Sequence, residues 1–249
     1  MSDYASTSNI GVPSCGITCH EDYITFMPMP VVSKDCSDAI SPPDQRMITN
    51  DFTTRIYVSP PDVPYDCNEM FTTTVYDKND NGHQEVISSI GTSTIELTDK
   101  SEMASSSNSG QLPMYRLGSI LNYPDSLTAY GHFAHYVPSI QEWVTGKTQF
   151  YTFAKGCYIE MYADQNGLNP DAIKMDGLPL SSYGYKLNHM NHFTKTYGHF
   201  IVPVTGYGLH TIESGANYVM YVICKNVLGA YDAAGYVAGF NKRKVQDSD

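Results

Sequence analysis

Short runs of β-forming residues, separated by Gly, Pro, Asn and Asp, recur through most of this sequence and constrain its fold more than any other feature. They are densest in the second half, at 150–153, 157–162, 200–204 and 218–223. Short strand-like runs with turn residues between them are typical of a β-sandwich or a jelly roll. The sequence therefore predicts an all-β fold with antiparallel sheets.

The composition supports the same fold class. Tyr is the dominant aromatic residue, with 20 copies against 9 Phe and 1 Trp, and its ring and hydroxyl suit a half-buried strand. The chain also has 19 Gly and 14 Pro, which serve turns better than helices. With 249 residues it is long enough for one large β domain or for two packed β sub-domains.

The composition and the density of strand-like runs change along the chain, which indicates a division into segments. The segment 126–137 carries a helical stripe of apolar residues, but Gly131 and the aromatic content favour a strand. We predict a flexible lead-in over 1–14, a Cys-rich β part over 15–100, a Ser-rich loop over 101–111, a C-terminal β-sandwich part over 112–240 and a polar tail over 241–249.

A β-hairpin is expected where two β-rich runs, 72–76 and 84–87, flank Asn81-Gly82, because Asn and Gly tolerate the positive φ of a tight turn. The same stretch offers oxygen ligands at Asp77, Asn79 and Asn81, a spacing similar to the start of a calcium-binding loop. The position that needs a bidentate Glu is Ser88 in this sequence. A plain turn is therefore the preferred interpretation, and calcium is the alternative.

The formal net charge of −11 makes a nucleic acid an unfavourable partner, because an acidic surface repels phosphate groups. The basic run Lys242-Arg243-Lys244 is expected to belong to the solvated tail. No run of about 18 apolar residues occurs, so we expect no transmembrane helix. The first residues do not read as a signal peptide, and the sequence contains no Asn-x-Ser/Thr glycosylation site.

Six cysteines, an even number, favour disulfides and an oxidising compartment. We expect Cys157 to pair with Cys224, because both lie in strand-like runs, and the other four to pair among themselves. The sequence does not choose among the remaining pairings, and six buried free thiols in a cytosolic protein are the alternative. The other four cysteines are Cys15, Cys19, Cys36 and Cys67.

Eight histidines raise the question of a metal site. His132 and His135 are expected on a strand, where a spacing of three places two side chains on opposite faces. His189 and His192 have the same spacing in a segment that is expected to be a loop. Core or surface histidines are the preferred interpretation, with His210 as a hydrogen-bonded inward residue, and a zinc site is the alternative.

The common local signatures of catalysis are missing from the sequence. It contains no Gly-x-Ser-x-Gly elbow, no His-Glu-x-x-His, no phosphate loop and no dinucleotide fingerprint. We therefore expect no catalytic residues and no cofactor, although a site assembled from distant residues would leave no local motif.

Three groups of residues in the second half look like one known family. They are 133–139 followed by Trp143 and 150–153, then 173–180 with Asp176-Gly177 as a turn, then 208–212 followed by 218–222 and 230–236. This order resembles the N-terminal domain of IgGFc-binding protein and related extracellular domains of animal mucin-like and nematode proteins. The resemblance covers about residues 130–240. It implies a secreted β-sandwich module of adhesive or mucus-associated proteins, without enzymatic activity.

The preferred function is a secreted, non-catalytic binding or adhesion module for a protein or carbohydrate partner. Its contact residues are expected among Tyr183, Tyr185, His189 and His192, because a Tyr-rich loop offers rigid, amphipathic contact area. One alternative is a metal-dependent or Cys/His hydrolase on a jelly-roll scaffold. Another is a structural assembly protein of a fibre, shell or capsid. The sequence leaves the oligomeric state open.

Overall fold

The computed structural model describes residues 2–5, 22–95, 97, 101–121, 129–229 and 232–243. The strands in these ranges are β1 Ser2–Ala5, β2 Asp22–Thr25, β3 Asp44–Thr49, β4 Thr53–Val58, β5 Phe71–Tyr76, β6 Gly82–Ile87, β7 Ser93–Ile95, β8 Glu102–Ser107, β9 Met114–Leu121, β10 Ala129–Val137, β11 Val144–Thr152, β12 Gly156–Ala163, β13 Ile173–Met175, β14 Leu178–Pro179, β15 Lys186–His192, β16 Lys195–Thr205, β17 Gly208–Lys225 and β18 Ala233–Ala238. Short 3-10 helices span Ile140–Glu142, Gln165–Gly167, Pro170–Ala172 and Leu180–Ser182.

The sheets are antiparallel and curl into a half-barrel, so the predicted all-β, disulfide-bearing fold is confirmed. Among the described residues, no helix has the length and apolar character needed to cross a bilayer.

The largest sheet is organised around β17, a strand of 18 residues. The strand order is β14-β13-β17-β12-β16-β15, and β11 and β18 also pair with β17. The first half of β17 pairs with β11 and β13, and the second half pairs with β12 and β18. Each half of β17 therefore has hydrogen-bonded neighbours on both sides.

Both faces of this sheet are buried around β17. Val219 and Tyr221 belong to one hydrophobic cluster, whereas Met220 and Val222 belong to another on the opposite face. Alternate residues of a strand point to opposite faces, so a strand that is covered on both sides needs apolar residues at every position. This explains why 218–223 is a continuous apolar run.

Two four-stranded sheets, β3-β8-β5-β6 and β10-β9-β4-β7, complete the main body of the fold. Residues of all three sheets meet in one hydrophobic cluster, which includes Ile48 of β3, Ile56 of β4 and Tyr221 of β17. In addition, β4 pairs directly with β9, across the predicted boundary between 15–100 and 112–240. The described parts of these two segments therefore share one core.

The predicted Ser-rich loop over 101–111 is wrong for most of its length. Glu102–Ser107 forms β8, which pairs with β3 on one side and with β5 on the other. Ser105 and Ser107 are buried in this strand. The Ser107 hydroxyl donates a hydrogen bond to the Thr72 carbonyl at 2.7 Å, so that its polar group is satisfied inside the sheet.

The strand predicted for 126–137 is confirmed over its described residues, Ala129–Val137. Gly131, with a φ of 97°, lies at a register shift in the pairing of β10 with β9. The Phe133 ring of β10 lies over Gly118 of β9 and Gly235 of β18, where an added Cβ atom would come within 2.4 Å of the ring. These two glycines make room for Phe133 between neighbouring strands.

The predicted hairpin of β5 and β6 is confirmed, but its turn differs in detail. The residue with positive φ is Asp80, at 60°, and Gly82 already pairs with Tyr76 in the sheet. The turn is therefore longer than the Asn-Gly dipeptide suggests. The second predicted turn is confirmed, since Asp176 and Gly177 both have positive φ, 51° and 83°, between β13 and β14.

The prediction of a solvated tail is wrong for Arg243. Its Nη1 atom lies 3.2 Å from Asp44 Oδ1, and its side chain is almost fully buried. Asp44 also contacts Arg46, with two nitrogen–oxygen distances of 3.1 Å. Burial opposes the charge of Arg46, but Asp44, Tyr136 and Glu142 together outweigh this effect and raise the pKa of the guanidinium. The described start of the tail thus takes part in a buried ionic cluster.

The expected disulfide between Cys157 and Cys224 is present, and the two residues are direct partners in the pairing of β12 with β17. A second disulfide joins Cys36 and Cys67. The predicted cysteines Cys15 and Cys19 lie outside the described residues.

Replacing Cys157 and Cys224 together by Ala is expected to lower the free energy of unfolding by about 2–4 kcal/mol, because the bond restricts the unfolded chain. Urea denaturation without reductant measures the loss. The matched control replaces Cys36 and Cys67 by Ala; that bond closes a separation of 31 residues instead of 67, so the loss should be smaller. Unchanged stability of the first variant would contradict this expectation.

Candidate functional site

Three connections of the large sheet meet at one end of the molecule. The β11–β12 turn, the β16–β17 turn and the β17–β18 loop lie together because Gly156 pairs with both Thr205 and Lys225. Gly208 pairs with Thr152 at the same end. Because these contacts are sheet pairings, residues distant in sequence occupy fixed neighbouring positions.

This end of the sheet exposes large apolar side chains. The exposed fractions are 43% for Tyr151, 44% for Phe153, 67% for Tyr207 and 65% for Leu209. Tyr151 and Leu209 are direct partners across β11 and β17. The Phe153 ring lies 5.9 Å from that of Tyr151, and Phe153 and Tyr207 line the same pocket. We call this surface the loop-end patch, and it comprises Tyr151, Phe153, Lys155, Tyr207, Leu209 and Lys225.

Tyr236 of β18 contacts two residues of the patch, the backbone of Tyr151 and the ring of Phe153. The Tyr236 hydroxyl accepts the Tyr151 N–H at 2.8 Å and donates to the Tyr151 carbonyl at 2.8 Å. The ring centroids of Phe153 and Tyr236 are 5.5 Å apart, and those of Tyr151 and Phe153 are 5.9 Å apart. Burial raises the pKa of Tyr236, so its hydroxyl stays protonated and keeps its donor role at neutral pH.

A pocket of about 380 Å³ lies within the patch. Among the described residues that line it, the two charged ones, Lys155 and Lys225, are both cationic. The aliphatic part of Lys225 lies over Gly156. The pocket is lined by Phe153, Ala154, Lys155, Gly156, Tyr207, Lys225, Asn226 and Val227.

The strongest electrostatic feature is a buried ion pair between Arg116 of β9 and Glu160 of β12. Arg116 Nη1 lies 2.6 Å from Glu160 Oε2, and neither side chain is exposed to solvent. The second carboxylate oxygen, Oε1, accepts a hydrogen bond from the Tyr162 hydroxyl at 2.7 Å and lies 3.2 Å from His199 Nε2. Thr49 donates to the same oxygen at 3.2 Å.

These contacts keep Glu160 ionised. Burial alone would raise the pKa of the carboxyl group. The charge of Arg116 and the hydrogen bonds from neighbouring side chains outweigh this effect, so the pKa of Glu160 lies well below its usual value of 4.5. Since all members of the network are buried, the arrangement is one that stabilises a charge within the core.

His135 completes the network on the side of β10. Burial, and then the charge of Arg116, lower the pKa of His135 well below 6.5, so its ring is neutral. Its Nε2 atom accepts the Arg116 Nε–H at 3.0 Å, and Nδ1 lies 2.8 Å from the Tyr136 carbonyl, to which it donates. The ring also stacks on Tyr221 at a centroid distance of 4.5 Å.

A second, polar pocket of about 470 Å³ opens beside β3, β8 and β15. Two of its lining residues, Thr49 and Asn188, reach the buried network; Asn188 Nδ2 lies 3.5 Å from His199 Nδ1. The pocket carries charges of both signs, because Lys186 and Asp51 form an ion pair at its rim at 2.8 Å. Such a lining does not select an ion of one sign.

The predicted histidine pair on 189–192 lies in a strand and not in a loop. His189 is exposed and lines the polar pocket, whereas His192 is buried on the opposite face of β15. His192 Nε2 lies 3.2 Å from Glu102 Oε1, and its Nδ1 lies 3.5 Å from Asp80 Oδ1. The two imidazoles point away from each other and cannot bind one metal ion.

The two predicted contact tyrosines differ in their exposure. The Tyr183 hydroxyl donates to the Met175 carbonyl at 2.8 Å, which gives this half-buried side chain a structural partner. Tyr185 is exposed, and its ring centroid lies 6.4 Å from that of Phe200. Of the four predicted contact residues, Tyr185 and His189 remain accessible to a partner.

The weak calcium ligand set at 77–81 has another role in the fold. Asp77 Oδ1 accepts the N–H groups of Asn79 and Asn81 at 2.8 and 3.0 Å. This is the hydrogen bonding of a side chain that stabilises its own turn. The plain turn is therefore the interpretation that the geometry favours.

The other singled-out histidines make specific contacts. His132 and His135 are both buried on β10. His210 Nδ1 lies 2.8 Å from Asp176 Oδ2, and its ring stacks on Phe150 at 5.3 Å. The hydrogen-bonded role predicted for His210 is therefore confirmed.

The loop-end patch was not predicted from the sequence. One local signal exists: in 150–153 and 206–209, apolar residues alternate on the face opposite the core-facing Phe150 and Thr152. Recognising that the two runs adjoin requires the strand pairing.

Comparisons with known protein families, with curated proteins and with solved structures found no match to this chain. The surface therefore has to be interpreted from its own geometry and charge.

Replacing Glu160 by Gln is expected to lower the free energy of unfolding by about 3–5 kcal/mol, because it leaves the Arg116 charge buried without its counter-ion. Urea denaturation measures the loss. Replacing Glu213 by Gln, an exposed carboxylate of β17, is the matched control and should change stability by less than about 0.5 kcal/mol. Adding Arg116→Met to Glu160→Gln should restore part of the loss. If Glu160→Gln were as stable as Glu213→Gln, the stabilising role of the Arg116–Glu160 pair would be contradicted.

Lowering the pH from about 7 to about 5 is expected to destabilise the protein partly through His135. Its pKa is lowered by folding, so below its usual value of 6.5 the unfolded chain binds a proton that the folded chain excludes. The contribution of His135 is thus present above about pH 6.5 and is lost below it, by up to about 1.4 kcal/mol per pH unit. Urea denaturation at several pH values should show a shallower dependence for His135→Gln. The exposed His83, replaced by Gln, is the control, and identical slopes for His135→Gln and wild type would refute the assignment.

Proposed function

We propose that this chain is a non-catalytic, extracellular binding module that contacts a protein or glycan partner through the loop-end patch. The observation that carries the proposal is the exposure of four large apolar side chains at one end of the sheet. Contiguous apolar surface on a soluble protein commonly marks an interaction site. Tyr and Phe supply much contact area with few rotatable bonds, so little entropy is lost when they are covered.

The rigidity of this end supports a binding role. The turns of the patch join strands of one sheet in which β12 and β17 have paired neighbours on both sides, and the Cys157–Cys224 disulfide links two cross-strand partners of β12 and β17. Tyr236 fixes the backbone of Tyr151 by two hydrogen bonds. A surface that is already ordered loses less conformational entropy on association, which favours affinity.

The position of the titratable groups supports the non-catalytic part of the proposal. A strongly shifted pKa inside an open cleft is a common mark of an active site. Here the shifted groups Glu160 and His135 are fully buried and bonded to Arg116. Their side chains serve the core, and a substrate has no direct access to them.

Two disulfides support placement in an oxidising compartment, where such bonds form and persist. The resemblance of residues 130–240 to the N-terminal domain of IgGFc-binding protein implies the same compartment and a role in adhesion. Secretion and adhesion therefore belong to the proposal.

A glycan array and a pulldown from extracellular fluid are expected to retain at least one partner. Replacing Tyr207 and Leu209 together by Ala should weaken that binding by about tenfold or more, because central aromatic and apolar contacts dominate interface energies. Met70 and Ile90, also exposed but on the smaller sheets and their connections, provide the matched control when both are replaced by Ala. Circular dichroism and urea denaturation verify that both double variants are folded.

Two results would overturn the proposal. One is the absence of any partner above background in both assays. The other is an equal loss of binding in the Tyr207/Leu209 and Met70/Ile90 variants, which would place the contact surface elsewhere or make it non-specific.

A further inference from the structure

We infer that the pocket in the loop-end patch binds an anionic sugar, that is, a sugar ring bearing a carboxylate or a sulfate group; the inference rests on the proposed binding function and names its ligand class. The first observation is charge. The chain has a formal net charge of −11, yet both charged residues that line the pocket in the described part of the chain are lysines. A local cationic site on an acidic protein attracts an anionic group and disfavours a cationic one.

Local structure places the two cations together. Lys155 precedes Gly156, and Lys225 is the cross-strand partner of that glycine. The Lys225 side chain runs over Gly156 toward the same pocket. The carboxylate of the adjacent β17–β18 loop, Asp232, accepts the Leu228 N–H at 2.7 Å and so closes its own loop.

The second observation is that aromatic side chains line the pocket. Phe153 and Tyr207 line the pocket together with the lysines. The electron-rich face of an aromatic ring attracts the weakly positive C–H groups of a sugar ring. A lysine ammonium acts as a compact charge with rotatable donors, so it accommodates a carboxylate or a sulfate without a fixed geometry. Cations and aromatic rings in one concave site therefore suit a ligand that carries both an anion and an apolar ring face.

The third observation separates a sugar from an acidic peptide. Extended peptides commonly bind by adding a strand to a free sheet edge. At this end β12 is paired with both β16 and β17, and β17 is paired with both β12 and β18. These two strands therefore offer no free edge beside the pocket. The nearby strand β11 pairs with β17 alone among the described strands, but the outward N–H and C=O groups of Tyr151 at its open edge are already bonded to the Tyr236 hydroxyl. A volume of about 380 Å³ lies in the range of sites for small ligands.

The test measures binding of sialyllactose, sulfated lactose and lactose to the whole protein by calorimetry and by NMR. These probes share a neutral core and differ in the anionic group. Wild type should bind one or both anionic probes about tenfold or more tightly than lactose, with affinity falling as salt increases. The preferred probe distinguishes a carboxylate from a sulfate as the recognised group.

The decisive variant is Lys155→Gln with Lys225→Gln, which removes both charges but keeps most of each aliphatic chain. It should lose about tenfold or more of the affinity for the anionic probe and none of that for lactose. Lys174 and Lys195, both exposed on the same sheet, provide the matched control when replaced by Gln. Lys195 lies at the far end of β16, so this control should bind like wild type.

The outcomes separate this inference from the broader binding proposal. Equal binding of charged and neutral probes, no binding of any of the three, or an unchanged affinity of the Lys155/Lys225 variant overturns the anionic sugar. If a pulldown partner is then still lost in the Tyr207/Leu209 variant, the binding function stands and its ligand is of another class. If that variant also retains its partner, both proposals fail.

Discussion

The buried ion pair of Arg116 and Glu160 is the interaction on which the arrangement of the three sheets depends. Taking two charges out of water costs several kcal/mol for each ion, and only close contact with further hydrogen bonds offsets that cost. The partners that supply these bonds come from different sheets: Thr49 from β3, His135 from β10 and His199 from β16. If any of these strands moves away, a buried charge loses a partner. The pair thus links the packing of distant parts of the chain in one set of contacts.

The same pair specifies the register of β12. Glu160 and Tyr162 face the shared core, whereas Ile159 and Met161 face the second hydrophobic cluster. A slip of one residue would move Glu160 to the apolar face and leave Arg116 unpaired, so the correct register is strongly preferred. Disulfide formation depends on this register as well, because Cys157 must lie opposite its partner in β17. Electrostatics, hydrophobic alternation and the covalent bond therefore agree on one pairing.

Local chemistry explains which parts of the fold the sequence predicts. The positive φ at Asp176-Gly177 and the apolar run 218–223 are encoded by a few neighbouring residues. Strand β8 is not encoded in this way, because its run of serines is typical of a loop. The serines fit a buried strand only because the sheet supplies acceptors such as the Thr72 carbonyl. Arg243 likewise resembles a tail residue until Asp44, distant in sequence, lies beside it. The loop-end patch belongs to the second kind, since its residues become neighbours only through strand pairing. Strands and turns are therefore easier to predict from the sequence than the loop-end patch that they form together.

The core and the loop-end patch are physically connected through two strands. Glu160 pairs with Tyr221, and four residues further along the same ladder Gly156 pairs with Lys225. At about 3.3 Å per residue, the ion pair and the pocket are separated by only about 13 Å of continuous sheet. Strands β12 and β17 are buried and have paired neighbours on both sides, so their backbones have little freedom to move. The position fixed by the ion pair at Glu160 therefore also restricts the position of Gly156 and Lys225 at the pocket. A purely apolar pair at the same position would specify the strand register less strictly, so the buried charges contribute to the order of the sheet end that bears the pocket.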